Sequence, residues 1–410
     1  MDDIDIEVPK YFICPISLQI MKDPVTAITG ITYDRDSIEQ WLLKGKTTNC
    51  PVTQQPLPTL SDLTPNHTLR RLIQAWCTEN ASFGVDRIPT PKPSVDKLHF
   101  LKLIKELQHP DSKTKALKEL DLLAAKNERN RKCMVEAGVS KAMISFIVNC
   151  FKEDCINGLE EALSVLSLIR IPPTEAKLLP KENALIIKSL VWVLGFGFRT
   201  QVMVQSHAVS ALKTIIETAS SVLLERLELN FFEAVVGVLK QGIKRFSQQG
   251  INSALHVLLD ACPWGRNRLM MVESGAVSAL IELELGSPER KTTELILGIL
   301  FHLCSCADGR AEFLNHKGGI AVVTKRIMRV SLAADDRAVL ILSLICKFSA
   351  SSLVVHEMLD VGAVTKLCML LQVDCATYLK DKALGILRSH SDEWLKFPCI
   401  DKTQFTMYIN

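Results

Sequence analysis

Six times in the C-terminal three quarters of the chain, a short segment ends at a Gly or Asn and a new apolar run begins at once. The joints are Gly138 (VEAG-VSKAMISFI), Asn183 (KEN-ALIIKSLVWVL), Asn230 (ELN-FFEAVVGVL), Gly275 (ESG-AVSALIELEL), Gly319 (KGG-IAVVTKRI) and Gly362 (DVG-AVTKLCMLL). They stand 45, 47, 45, 44 and 43 residues apart. Gly and Asn accept the left-handed conformation that stops a helix at least steric cost. Each joint is therefore expected to end one helix and start another. The preceding segments agree: NSALHVLLDACPWGRNRLMMVESG and DRAVLILSLICKFSASSLVVHEMLDVG each carry an apolar helix, a polar break and a second short helix. A helical period near 45 implies units that bury their apolar faces only by stacking on one another. The expected fold class is mainly α.

Composition excludes several alternatives. Hydrophobic residues are 48% and charged residues 23% of 410, with 36 Gly plus Pro, which are globular values. A net charge of +3 is too small to imply nucleic acid. It divides into −3 for residues 1–80 and +6 for the rest, and neither half dictates a partner. The longest apolar stretch, Leu185 to Phe198, is broken by Lys188, so no integral membrane segment is expected. The start, MDDIDIEVPK, is acidic and lacks an apolar signal region, which leads us to expect a cytoplasmic chain with nuclear exchange possible.

The remainder divides by pattern. Residues 1–9 read as a tail, 10–80 as a small α+β domain, 81–97 as a linker, 98–400 as the solenoid of about six repeats and 401–410 as a second tail. The linker carries Pro89, Pro91 and Pro93 at alternate positions, which favours an extended segment and forbids a helix.

Within the small domain, VTAITGITY forms two alternating runs around Gly30, a hairpin signal. Asp34 is placed to cap a helix that buries Ile38, Trp41, Leu42 and Leu43 and stops at Gly45. Pro65-Asn66 opens a second helix with Leu69, Leu72, Ile73 and Trp76 on one stripe.

Two loops flank the first helix: Ile13-Cys14-Pro15-Ile16-Ser17 and Cys50-Pro51-Val52-Thr53. Each has the form of a zinc knuckle whose second cysteine is replaced by a hydroxyl. The chain holds thirteen cysteines, and no two stand in C-x-x-C spacing. A structural zinc needs four ligands, and residues 1–80 offer only Cys14, Cys50, Cys77 and His67. We therefore expect no metal and no cofactor. The loops would be held by hydrogen bonds from Ser17, Thr53 and nearby carboxylates such as Asp34 or Asp36.

This stretch resembles the U-box, the metal-free relative of the RING domain. The motif C-P-I-S, M-x-D-P-V, G-x-T-Y-D-R, I-x-x-W-L, C-P-x-T and L-x-P-N-x-x-L-x-x-x-I-x-x-W runs through residues 12–77. Residues 98–400 resemble armadillo repeats. The combination is similar to the plant U-box ubiquitin ligases of the stress- and immunity-linked group.

The resemblance implies an E3 ubiquitin ligase that forms no covalent intermediate. Its U-box binds a ubiquitin-conjugating enzyme charged with ubiquitin, and the transfer is one of proximity and orientation. By motif position, Ile13, Cys14, Pro15, Ile16, Trp41, Pro51 and Gln54 fall at the conjugating-enzyme site. Ser17, Asp34, Asp36, Thr53 and Asn66 fall at positions that hold the domain together. Gln54 stands where many relatives carry a basic residue. The resemblance further implies a protein substrate on the concave solenoid face, lined by the runs after each joint, such as Val139 to Phe146. Two rivals are an armadillo adaptor or transport receptor without activity, and a U-box that binds the enzyme but activates it weakly. Transport receptors of this fold carry W-x-x-x-N ladders, whereas here Trp192 precedes Phe196 and Trp264 precedes Arg268.

Other chemistry-bearing residues read as structural. Cys14 has no His partner in motif spacing and reads as a packed side chain. Cys304 and Cys306 lie in an apolar helical run. Gly195-Phe-Gly197 lacks the following G-K-S/T of a phosphate loop. His207, His256 and His302 sit on amphipathic segments, and His99 and His109 flank the first solenoid helix without a converging ligand set.

Overall fold

The computed structural model describes residues 8–44, 49–57, 63–81, 97–169, 183–195, 202–242, 245–397, 400 and 405–407. The chain divides into two compact units, Met1–Ser94 and Val95–Asn410. The three alternating prolines of the linker, Gly45, and the Phe196-Gly197 pair fall outside the described residues.

In the first unit, β1 (Pro24–Thr26) and β2 (Thr32–Asp34) pair antiparallel, with Val25 opposite Tyr33. The turn between them closes through Gly30, whose φ of +78° explains the glycine. A third strand, β3 (Thr64–Pro65), pairs with the other edge of β1 and had no signal of its own in the sequence. Helix α1 (Arg35–Lys44) buries Ile38 completely and Leu42 partly. Helix α2 (His67–Glu79) buries Ile73 and Cys77. Leu72 is 52% exposed rather than on the buried stripe. At 100° per residue it points well away from the centre of a face set by Ile73, Trp76 and Cys77.

The second unit is a two-layered helical stack. The long helices α4 (Pro110–Lys126), α7 (Leu159–Ile169), α9 (Val202–Glu217), α12 (Gln248–Ala261), α15 (Arg290–Cys304), α18 (Leu332–Phe348) and α21 (Thr377–Ser389) form one layer. Each packs on the next. The second layer holds the helices that follow the joints: α6 (Val139–Glu153), α8 (Asn183–Gly195), α11 (Leu229–Gln241), α14 (Ala276–Leu285), α17 (Gly319–Arg326) and α20 (Ala363–Gln372). Short helices such as α5 (Glu128–Glu136), α13 (Gly265–Glu273) and α16 (Ala307–Asn315) lead into these joints; α3 (Lys97–Glu106), α10 (Ser221–Glu225), α19 (Ser352–Asp360) and α22 (Ser391–Trp394) complete the set. One continuous apolar core runs from Phe100 to Phe405. Among the described residues no single helix is long and apolar enough to cross a membrane.

The joints divide into kinds. Gly138, Gly275 and Gly362 are left-handed, with φ of +82°, +81° and +79°. Asn230 instead lies inside α11, which starts at Leu229 behind an extended Glu228. Gly319 is also helical, and a different constraint selects it: an added Cβ would lie 2.4 Å from the Phe313 carbonyl oxygen. Asn183 begins α8, and the residues before it are not described.

A recurring arginine closes the long helices. Arg131 donates to the Ala124 carbonyl (2.8 Å), Arg268 to Cys262 (2.9 Å) and Arg310 to Cys304 (3.0 Å). A guanidinium there satisfies orphan C-terminal carbonyls and complements the helix dipole. Cys304 is fully buried, and burial pushes its thiol up to about 12. His207, His256 and His302 are half-buried in the first layer, and burial lowers all three, which favours the neutral ring. His99 pairs with Glu119 at 2.9 Å.

Candidate functional site

The two proline-containing loops of the first unit have the same backbone. Ile13 bridges Ile20, and Asn49 bridges Pro56. The Cys14 amide donates to the Gln19 carbonyl and the Cys50 amide to Gln55, both at 2.8 Å. Leu18 donates back to the Cys14 carbonyl and Gln54 to Cys50, both at 2.9 Å. Leu18 and Gln54 occupy the same left-handed position, with φ of +55° and +59°. Neither is glycine, so each loop carries local backbone strain that its internal hydrogen bonds hold in place.

Both cysteines are fully buried, and their sulfurs are the anchors. The Asp34 amide donates to the Cys14 sulfur at 3.2 Å. The Tyr33 hydroxyl lies 2.9 Å from the Cys50 sulfur, the Thr29 hydroxyl and the Thr53 amide 3.4 Å from it. Two loops are thus pinned to adjacent residues of one strand, β2. Burial acts to raise the Cys50 thiol, but donors from Thr29, Thr53 and Tyr33 outweigh it and lower it to about 6. Burial likewise opposes ionisation of Cys14, while donors from Ser17, Asp34 and Ile16 prevail and lower it. Tyr33 shifts the other way: burial, then the Cys50 sulfur, push its hydroxyl up. Both directions follow from one contact, in which the Tyr33 hydroxyl donates to the Cys50 sulfur.

Asp34 does not cap α1. It is the last residue of β2, and its carboxylate turns to the end of the first loop, accepting from the Lys22 and Asp23 amides at 2.7 and 2.9 Å. Burial raises its pKa against those two bonds. Asp36 is exposed in the first turn of α1, so Asp34 rather than Asp36 holds the loop. Asn66 caps α2 through Leu69 (2.9 Å), and its amide group reaches the Thr26 hydroxyl (3.3 Å).

Three residues without an assigned role tie these parts together. Asp23 pairs with Arg35 at 2.7 Å and with Arg70. The three lie 12 and 47 residues apart, with only the D-P-V and Y-D-R signatures to mark two of them. Tyr33 and Thr29 also escaped the sequence reading, although Tyr33 sits in the T-Y-D-R signature.

Above this frame lies a mostly apolar surface. Pro15 is exposed, Ile13, Ile16 and Pro51 are half-buried, Leu18 is 76% and Val52 52% exposed. Trp41 is 40% exposed, and its indole donates to the Asn49 carbonyl at 3.0 Å, which fixes α1 to the start of the second loop. The Gln54 amide folds back toward the Pro51 carbonyl at 3.3 Å.

In the second unit, cavities lie along the layer of helices that follow the joints. One, of about 580 Å³, is lined by Phe151, Ile187, Trp192 and Phe231, with the Lys188–Glu228 ion pair (3.2 Å) among its walls. Phe151 and Trp192 meet edge to face at 5.8 Å.

Comparison with known proteins follows the same division. Residues 8–82 match the family described as U-box domain, and residues 98–410 match the plant U-box protein ARM repeat region. The chain is 45% identical to E3 ubiquitin-protein ligase PUB24 of Arabidopsis thaliana, over 100% of this chain and 98% of that protein. It is 45% identical to E3 ubiquitin-protein ligase PUB23 of the same plant, over 99% and 98%. Among solved structures, a chain from work on the interaction between cadherin and beta-catenin aligns with TM-score 0.59 at 12% identity, covering 79% of this chain and 58% of its own. An engineered protein aligns with TM-score 0.51 at 16% identity, covering 83% of each. These two likenesses bear on the fold alone.

Proposed function

This chain belongs to the plant U-box proteins with an armadillo repeat region, E3 ubiquitin ligases, and from that premise we propose how its parts divide the work. The first unit receives a ubiquitin-charged conjugating enzyme on the surface of the two loops and α1. Ile13, Pro15, Ile16, Trp41 and Pro51 provide the apolar contact, and Gln54 offers an uncharged amide donor toward enzyme and ubiquitin. Cys14 acts beneath this surface, through its buried sulfur, rather than as a contact.

The observation that carries this reading is the matched pair of loops pinned to Tyr33 and Asp34. The pinning leaves Pro15, Leu18, Val52 and Trp41 facing solvent on a small rigid frame. Exposed apolar clusters of this kind mark interaction sites. Binding on them orients the thioester for attack by a lysine, and the gain is one of proximity.

The second unit holds the protein substrate along the layer of helices after the joints. The apolar cavity at Trp192 and the exposed positions of α6, α14 and α17 support that face. Placement of the activity in plant defence or stress signalling, in the cytoplasm with nuclear exchange, rests on resemblance to the subgroup.

The test is self-ubiquitination by the full chain with activating enzyme, conjugating enzyme, ubiquitin and ATP. Ile16→Ala and Trp41→Ala should abolish it, and Trp41→Ala should also loosen the second loop by removing the bond to the Asn49 carbonyl. Absence of activity with every conjugating enzyme tried would favour the adaptor reading.

A further inference from the structure

Lys325 and Arg329 stand exposed on and just beyond α17 and line a groove of about 530 Å³. Thr324, Thr365 and Lys366 complete its polar lining, so three cations line it and no carboxylate does. Among the described residues no carboxylate pairs with Lys325 or Arg329. The neighbouring Arg326 is engaged by the buried Glu284 at 2.5 Å. Lys366 is tied to the Ile327 carbonyl at 3.2 Å and lies in the field of Asp335, so it is the most committed of the three. Asp335 itself is 7% exposed and accepts from the Met328 amide at 2.6 Å.

The floor of the groove carries a second signal. Thr324 is 2% exposed, and its hydroxyl has no hydrogen-bond partner. A buried hydroxyl left unpaired costs about 1–3 kcal/mol, and a ligand oxygen would remove that cost. At one end, an added Cβ on the left-handed Gly362 would meet nothing within 4 Å, so the groove is open there. The basic character is local to these last repeats. Six residues past its joint Gly319 this helix carries Lys325, whereas the preceding helix, seven residues past Gly275, carries the acidic Glu282, paired with His316 at 3.1 Å.

We propose that this groove receives an acidic segment of the bound protein substrate, whose carboxylate or phosphate oxygens meet Lys325, Arg329 and the Thr324 hydroxyl. The inference rests on the reading that this layer holds the substrate. A single exposed ion pair contributes under about 1 kcal/mol, so one acidic residue is not retained and a run of them is required. The Arg329 guanidinium adds geometric selection for paired oxygens.

The full chain would be titrated with a fluorescent peptide bearing an unbroken run of Asp and Glu. Binding should weaken at least about tenfold in Lys325→Glu/Arg329→Glu, fall with added salt, and be unchanged in Lys291→Glu on the other layer. Lys325→Gln/Arg329→Gln should give a smaller loss, and all variants should melt like the parent. A peptide carrying Asn and Gln instead should not bind. A phosphoserine peptide that binds tighter identifies phosphate as the source; equal or weaker binding identifies carboxylate. No binding of either acidic peptide, or binding indifferent to the double variants, overturns the inference. The peptide would also be fused to a lysine-bearing carrier. Carrier that binds through Lys325 and Arg329 but is not ubiquitinated faster than unfused carrier leaves the groove standing and defeats the substrate-presentation reading.

Discussion

The Tyr33 hydroxyl lies 2.9 Å from the Cys50 sulfur inside a fully buried site, and this contact joins the β-hairpin to the second loop. Tyr33→Phe keeps the ring and removes the donor. The buried sulfur then loses one of its strongest partners, which costs about 1.5–3 kcal/mol for a charged acceptor. Faster amide exchange should appear in residues 49–57, together with slower ubiquitin transfer, while exchange in the solenoid stays the same.

The depressed Cys50 thiol makes the first unit sensitive to pH. Its folded pKa of about 6 lies below the ordinary 9.0. Between those values the unfolded chain binds more protons, so stability rises with pH. The contribution is complete above pH 9 and lost below about pH 6. Cys14 shifts in the same direction. Tyr33, raised above its ordinary 10.0, withdraws stability only on the alkaline side of that value. Local opening of the U-box, followed by amide exchange corrected for intrinsic rate, should therefore become harder from pH 6 to 9, by on the order of a few kcal/mol. Cys50→Ser, which keeps a hydrogen-bonding atom but does not ionise there, should flatten the slope.

Two joint glycines should respond oppositely to asparagine. Gly138 is left-handed with open space around its missing Cβ, so Gly138→Asn should be milder than Gly138→Ala, which costs about 1 kcal/mol. Gly319 is right-handed against the Phe313 carbonyl, so Gly319→Asn should be no better than Gly319→Ala, at about 1–3 kcal/mol. Thermal unfolding of the four variants decides this. Equal rescue by asparagine at both sites would contradict it.

The same contrast shows how far the sequence reached. The period of the joints identified the stack, because left-handed stops and helix restarts are local events written in neighbouring residues. The mechanism at each joint was not local. Gly319 answers to a carbonyl six residues away, and Asn230 to a helix that begins one residue earlier. The hairpin around Gly30 and the cap at Asn66 were legible for the same local reason. Strand β3 was not, because two residues, one of them a proline, carry no alternation. In the site, the hydroxyls of Ser17 and Thr53 in place of cysteines pointed to a brace of hydrogen bonds in the loops. The donors that complete it, Tyr33 and Thr29, lie 17 and 21 residues from Cys50, and the Asp23–Arg70 pair spans 47. Spacings of that kind are set by tertiary folding and leave no periodic trace.

Gln54 supplies a further prediction. Its amide carries no charge and rests on the Pro51 carbonyl. Hydrogen bonds from a charged donor are roughly twice as strong as neutral ones. Gln54→Arg should therefore speed discharge of ubiquitin about three- to tenfold, with a smaller gain in affinity for the conjugating enzyme that carries no ubiquitin. The φ of +59° is retained by either residue, so stability should change little.

The most direct measurement is single-turnover discharge of ubiquitin from a preformed charged conjugating enzyme onto free lysine, with and without a strong chelator. The full chain should accelerate discharge equally in both. Trp41→Ala should lose the acceleration, and Tyr33→Phe should lose part of it. Acceleration abolished by chelator, or fully retained by Trp41→Ala, would contradict the proposed mechanism.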